Sequence, residues 1–507
     1  MNAGQLAYEN LNRYGEYTCL HFEGESYTNF ERMRYAQCLA SVLMDKGVKP
    51  GEVVAVTMNN CPEVSSAFQA AWIIGAAILP IMPQLVAREL NYILEHSEAR
   101  VIITSEELTA KVVEAAKGLT SLDHILVTGN CETEPGKDIR EEIKAASPIE
   151  GLHERAADDL ALLVYTSGTT GKPKGVMQSH YNIISNSEAG EHLLMTEPKT
   201  VTLNVLPLAH VYGVLMMNIS SLVGTVNVLH PQFETKTVFE DIEKFRVQRV
   251  SFVPTMFSYL INFPDRDKYD VSSLERVNSG GAPLPDEVRL EFEEKFNCVV
   301  TEGWGQSEST CVISSYREGE TFRPGSAGRV VDGVDICVQD ESNEILPNGS
   351  TGELCVKGSL VMMGYWKNEE ATRNTIIDGW LHTGDIGHLD EDGYIYITDR
   401  KKDLIIKGGE NISPREVEEA IYRHPAVAEC AVVGIPCKKF GEDICAAIAL
   451  RHGNQASQEE IIEHSKNFLN KFKAPTRVFF LDELPKSSVG KLLKREVRDI
   501  VLPLLEE

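Results

Sequence analysis

The chain has 507 residues, 43% hydrophobic and 24% charged, with a net charge of −26. That length exceeds what one hydrophobic core organises, so a large composite domain followed by a smaller one is expected. So acidic a surface repels nucleic acid and anionic lipid in bulk, which excludes a nucleic-acid partner. Any anionic ligand must be held by local cations or oriented N–H groups.

In chain order, the opening MNAGQLAYENLNRYGEY carries no apolar signal region. Glu52–Met58 reads as a strand and Pro62–Ala77 as a helix. The longest apolar stretch, Ala70–Met82, contains Pro80. A membrane span needs about 20 such residues, so the stretch reads as a core helix ending at the proline, and no transmembrane segment is expected. Arg100–Thr104, Leu160–Val164, Arg249–Val253, Arg276–Ser279 and Cys298–Thr301 follow as β-rich runs separated by helix-like segments. This alternation predicts a parallel sheet covered by helices, an α/β fold. From about Gly328, short strands and frequent turns (GELCVKGSL, DEDGYIYITD) predict a β-rich subdomain over 328–399. Beyond it come a charged helix, Ser413–Arg423, a strand, Glu429–Val433, and a basic ending, PKSSVGKLLKREVR. The expected division is a large N-terminal domain over 1–399 and a small mobile α+β domain over 400–507, with a hinge at Asp399–Asp403. The 11 cysteines come no closer than Cys430 and Cys437, which leaves no Cys-x-x-Cys zinc spacing. An odd count in so large a chain fits a reducing cytoplasm.

One segment stands out, Tyr165–Gly175 (YTSGTTGKPKG), directly after an apolar strand. Gly168, Gly171 and Gly175 let the backbone turn and expose N–H groups, Thr166, Ser167, Thr169 and Thr170 add hydroxyls, and Lys172 and Lys174 add charge for a polyphosphate. It is not a Walker loop, because Thr166 stands where that motif needs glycine, and no Gly-x-Gly-x-x-Gly occurs anywhere. A flexible surface turn is the alternative.

This segment resembles the phosphate loop of the adenylate-forming ligases, the superfamily of acyl-CoA synthetases, aryl-CoA ligases, firefly luciferase and peptide-synthetase adenylation domains. The resemblance spans nearly the whole chain, since further segments follow in the family's order. In NSGGAPLP (278–285) it implies that Gly281, Ala282 and Pro283 lie against adenine, though alone this is a common strand–helix turn. In TEGWGQSE (301–308), Trp304 offers a π face beside Gly305, Ser307 donates to the α-phosphate, and Glu308 is a hard ligand for Mg²⁺; read alone, Trp304 is a core residue and Glu308 a helix-start residue. The family usually has Tyr and Thr where Trp304 and Ser307 stand, and both changes keep the functional group. In WLHTGD (380–385) the resemblance makes Asp385 the acceptor for two ribose hydroxyls, against a plain turn residue. It gives Arg400 to the ribose or α-phosphate and makes Lys402 the hinge, against a solvated basic linker. Gly408 and Gly409 in KGGENISP would line a pantetheine channel, against a simple helix entry.

Near the C-terminus, PKSSVGKLLKR matches a Pro-x-x-x-x-Gly-Lys pattern whose lysine drives adenylation, which falls on Lys491; Val489 stands where the family has Thr or Ser. A lysine that reaches both carboxylate and α-phosphate offsets the charge that builds as they react. Lys491, Thr166, Ser307 and His210 are thus the candidate catalytic residues. His210, in PLAHVYG, either caps the acid pocket or is a buried structural histidine. The implied reaction consumes ATP, Mg²⁺, coenzyme A and a small carboxylic acid. An amino-acid adenylating module would need an acidic residue just after that segment, and Val214–Ser221 holds none. Nothing in the chain demands oxygen chemistry. Val211, Tyr212, Met216, Met217, Met256 and Phe257 are expected to flank the acyl channel, uncharged and adaptable. They point to an aliphatic acid of medium to long chain, with an aromatic acid in a Tyr212–Phe257 slot as the alternative.

Overall fold

The computed structural model describes residues 1–129, 138–166, 172–194, 196–487 and 490–505. Its α/β plan rests on two seven-stranded sheets with helices between and around them. One sheet runs Val299–Glu302, Arg276–Ser279, Arg249–Phe252, Val201–Asn204, Val226–Leu229, Thr18–Phe22, all parallel, and ends on the antiparallel Glu25–Thr28. The other holds Leu160–Thr166, Ala77–Pro80, Val53–Thr57, Val101–Ser105 and His124–Thr128 in parallel, extended by the antiparallel Lys174–Ser179 and Gly364–Tyr365. Every residue of Val53–Thr57 (VVAVT) is buried, as a strand with helices on both faces requires. Helix entries follow local chemistry: Thr28 caps Asn29–Asp45 in a capping box with Glu31.

The apolar stretch at 70–82 is not one helix. The helix Pro62–Ile73 stops at Gly75, whose φ of +72 and close approach to the His153 ring suit only glycine, and Ala77–Pro80 continues as a buried strand. A third, eight-stranded antiparallel sheet fills the β-rich region but starts before Gly328, at Ser314–Ser315 and Ser326–Val330. Gly328 lies inside the latter strand, against the Ser315 carbonyl. The sheet ends with Tyr394–Arg400, and after a turn at 401–403 the next strand, Ile405–Lys407, belongs to a fourth sheet built on the long hairpin Val427–Cys437 and Gly441–Leu450.

The seam between this last part and the rest is polar. Arg451 makes a two-pronged contact with Glu291 (2.8 and 3.0 Å), Arg423 meets Glu287 at 3.1 Å, and Thr255 Oγ1 donates to the Gly490 carbonyl at 2.9 Å. Asp399 accepts from Ser413 Oγ at 2.8 Å and from the Arg415 N–H at 3.1 Å. Among the described residues no helix is long and apolar enough to cross a membrane.

Beneath the first sheet, Phe292 stacks on Phe296 with ring centres 4.0 Å apart and meets Phe257 edge-on at 4.8 Å. Phe292→Ala is expected to cost about 3–5 kcal/mol, because a fully buried ring leaves a cavity the neighbouring rings cannot fill. A urea titration should show a clearly lower midpoint with the fold otherwise retained.

Candidate active site

The candidate residues gather at the C-terminal ends of the parallel strands of the first sheet, where open α/β sheets bind ligands. Strand Arg276–Ser279 delivers Gly280 and Gly281, strand Val299–Glu302 delivers Trp304 and Gly305, and the segment after Val201–Asn204 delivers His210. Gly305 is obligatory, since a Cβ there would lie 1.4 Å from the Cys311 carbonyl oxygen. That carbonyl is aimed by an unusual stretch in which Thr310 and Cys311 have φ of +61 and +146.

The third sheet supplies Asp385 and Arg400, which face each other across neighbouring strands. Arg400 Nε reaches Asp385 Oδ1 at 3.1 Å, and the Trp304 indole N–H donates to Oδ2 at 2.8 Å. Burial pushes the Asp385 carboxyl up, against the pull of Arg400, Trp304 and Lys491. Trp304 is therefore anchored by its edge, and is itself buried.

Lys491 arrives on a short loop. Ser487 N–H donates to the Lys491 carbonyl at 2.8 Å, the Lys491 N–H donates to Ser487 Oγ at 3.2 Å, and Lys486 Nζ reaches Tyr259 Oη at 3.0 Å. Its side chain passes over Gly281, with Cε 3.2 Å from where a Cβ would sit. Desolvation, aided by Arg400, lowers its ammonium to about 8, while Cys311, Asp385 and Glu308 oppose the shift. His210 caps the helix Val211–Val223, its Nδ1 accepting from the Tyr212 N–H at 3.2 Å. That bond assigns the ring proton to Nε2. Burial first, then Lys491, lowers its titration to about 3, so the ring is neutral near pH 7.

Glu308 sits on the 3-10 turn Ser307–Ser309 and accepts from the Tyr365 hydroxyl at 2.8 Å, and the Lys174 ammonium lies 4.7 Å from that Tyr365 ring. Lys174 is also the cross-strand partner of Thr166. Ser307 is buried, its carbonyl accepting from Gln178 at 2.9 Å. Ala282 and Pro283 follow Gly281 toward Leu284, whose N–H donates to Glu302 at 3.2 Å; burial raises the Glu302 carboxyl to about 7. Beside Glu308 a polar cavity of about 370 Å³ is lined by Gln306, Tyr365, Thr383, Gly384 and Lys401.

Other candidates stand apart. Ser167, Gly168, Thr169, Thr170 and Gly171 lie outside the described residues, as does Val489. Lys172 is exposed, 5.6 Å from the Tyr92 ring. Lys402 is exposed in the turn at 401–403. The Gly408–Gly409 turn is not brought to Lys491: a Cβ on Gly408 would meet only Phe440 and Phe472, and one on Gly409 nothing within 4 Å. Of the expected acyl-channel residues, Tyr212 packs on Gly280 and Met216 takes a hydrogen bond from Ser251. Phe257 instead belongs to the ring stack, Met217 faces a different cavity behind the helix, and Val211 and Met256 are buried. Tyr365, Cys311 and Thr255 were not singled out by sequence, because each acts through a contact with a distant segment that no local spacing encodes.

Residues 7–366 match the family model described as AMP-binding enzyme, and residues 416–491 match the one described as AMP-binding enzyme C-terminal domain. The chain belongs to the AMP-binding enzyme family. A long-chain-fatty-acid–CoA ligase of Bacillus subtilis is 34% identical over 96% of this chain and 92% of its own. A feruloyl-CoA synthase of Amycolatopsis is also 34% identical, over 95% of each chain. A solved anthranilate CoA ligase carrying anthranoyl-AMP superposes with a TM-score of 0.94 at 26% identity, over 100% of this chain and 98% of that one.

In the free AMP-binding enzyme Lys491 should titrate near pH 8, well below the ordinary lysine value of about 10.4. The unfolded chain then binds the extra proton between those values, so this group's contribution to folding stability grows as pH rises through 8. Dimethyl-lysine NMR, with Lys491→Met to assign the resonance, checks the value.

Proposed function

We propose that this enzyme activates a carboxylic acid with ATP, forming an acyl adenylate and pyrophosphate, and then transfers the acyl group to coenzyme A with release of AMP. The observation that carries the reading is the seating of Lys491 over Gly281, beside neutral His210 and within the field of Asp385, Arg400 and Glu308. One cation there faces a cleft otherwise furnished for a nucleotide.

In the first step a carboxylate oxygen attacks the α-phosphorus and the bond to pyrophosphate breaks. Lys491 spans the two anions and offsets their repulsion. His210 Nε2–H donates to the carboxylate and keeps it oriented. Ser307 and Thr166 supply hydroxyls to the phosphates, Lys172 and Lys174 supply charge, and the segment 167–171 supplies N–H groups. Asp385 retains lone pairs beyond those used by Trp304 and Arg400, enough to accept from ribose hydroxyls. Gly281, Ala282, Pro283, Trp304 and Gly305 bound the adenine. The donor set suits Mg²⁺ held jointly with phosphates: Glu308 offers one carboxylate at the mouth of a polar cavity, and no described cluster of three or more His, Cys, Asp or Glu would cage an ion. Bound there, the ion would neutralise phosphate charge.

In the second step the part beyond the turn at 401–403 rotates about Lys402. Lys491 withdraws, Gly408 and Gly409 come to line the approach of pantetheine, and the thiolate sulfur attacks the acyl carbon as the bond to the AMP oxygen breaks. That the Gly408 turn lies against Phe440 and Phe472 and not against Lys491 supports two alternating placements.

For the acid we favour an aliphatic chain of medium to long length. Tyr212 and Met216 offer an uncharged wall, and the placement of Phe257 in the core removes one side of an aromatic slot. An aryl acid is the second reading, favoured by the Tyr212 ring lying close against Gly280, where a side chain would clash, and by the feruloyl-CoA relative.

Lys491→Ala should lower overall acyl-CoA formation by roughly 10²–10³-fold, on the scale of losing one charge-stabilising group, yet convert presynthesised acyl adenylate and CoA nearly as well as the parent. Lys402→Pro should do the reverse, because proline fixes φ. Equal loss of both half-reactions in either variant contradicts the assignment. Across a straight-chain series, kcat/KM should rise about fourfold per methylene, from about 0.8 kcal/mol each, until the channel is full. Benzoate and a cinnamate outrunning every aliphatic acid would reverse the preference.

A further inference from the structure

Behind the helix Val211–Val223 lies a second cavity, of about 120 Å³. Helical periodicity separates it from the catalytic cleft: Tyr212 and Met216 share the face toward Gly280 and Ser251, whereas Met217, Asn218 and Ser221 lie on the opposite side and line this space. Its other walls come from the helices Gln5–Tyr14, Asn29–Asp45 and Pro62–Ile73 and the strand Thr18–Phe22.

The lining holds no Asp or Glu, in a chain of net charge −26, and it holds one cation, Arg32. Arg32 forms no ion pair among the described residues; it donates to Ser65 Oγ, lies by the Cys19 sulfur, and keeps its Nε without a partner. Asn218 is 6% exposed, and its amide has no hydrogen bond among the described residues. A buried amide without a partner is costly unless something polar in the adjoining space receives it. The rest of the wall is mixed: Leu6, Met33 and Trp72 form an apolar patch, and amides and hydroxyls such as Asn10, Gln69, Ser65 and Asn227 make up the remainder.

We propose that this cavity is a binding site for a small carboxylate, distinct from the catalytic cleft. The guanidinium fork matches a carboxylate's two oxygens, the Asn218 amide adds a second polar contact, and the patch of Leu6, Met33 and Trp72 takes a short tail. A cavity of about 150 Å³ encloses benzene, so this one takes an acid of about the size of butyrate. The inference stands independently of the reaction proposed above.

The test is calorimetric titration of butyrate into the full-length enzyme with its catalytic cleft filled by an unreactive acyl-sulfamoyl adenosine. One equivalent of butyrate should bind at least tenfold more tightly than 1-butanol, its neutral counterpart. Arg32→Met and Asn218→Leu should each weaken butyrate at least tenfold, with unliganded Tm and kcat near the parent's. A crystal grown with butyrate should show it on Arg32. No saturable binding in the parent, 1-butanol binding as well as butyrate, or ordered water alone in the cavity would each overturn the proposal. These three outcomes need no variant, so a substitution that fails to fold leaves the question decidable.

Discussion

The buried carboxylate of Asp385 is the interaction on which the cleft depends. A charge taken out of water is tolerable only when both oxygens are paired. Here one oxygen meets Arg400 on the next strand and the other meets the Trp304 indole from a different sheet. Two neighbouring strands and a segment 81 residues earlier in the chain are thereby fixed to one point. The loop after Val299–Glu302 cannot drift, because Trp304 would abandon its partner. Arg400 closes its sheet one residue before the turn at 401–403. The same carboxylate thus locates both the Trp304 segment and the point where the chain changes sheet.

Desolvation is the common cause of the unusual titrations around it. It lowers Lys491 to about 8 and His210 to about 3, and raises Glu302 to about 7. Near pH 7 Lys491 therefore stays largely charged, His210 is neutral, and Glu302 sits close to its own midpoint. An anion bound beside Lys491 would raise its titration and strengthen the charged form further.

Much of this was legible in the sequence. Strand Arg276–Ser279 falls where the β-branched run placed it, and the parallel sheets follow from the strand–helix alternation. The segments carrying Gly281, Trp304 and His210 converge because each follows a strand of the first sheet, and strand order is a property of the whole fold. What escaped was facing and partnership. Met216 and Met217 are equally apolar as letters, yet one helical step turns them to opposite sides. Phe257 reads as a channel wall until Phe292 and Phe296 are known to stack beside it. The run at 70–82 was ambiguous because a buried helix and a buried parallel strand share one composition, and Gly75 alone divides them.

The seam between the terminal part and the rest has a consequence of its own. Its contacts include Arg451–Glu291, Arg423–Glu287 and the hydrogen bonds of Lys486, Thr255 and Asp399, with Glu291, despite the upward push of burial, drawn down to about 2 by Arg451 and Lys295. Undocking such a surface exposes charge that water readily solvates, and each partly exposed pair is worth only about a kcal/mol or less. Parting this surface therefore loses little from its ion pairs. It is also open to the medium: dissolved ions screen these pairs and soften the self-repulsion of a chain carrying −26. Ionic strength thus bears directly on how firmly this seam is docked, with no dedicated regulatory element required.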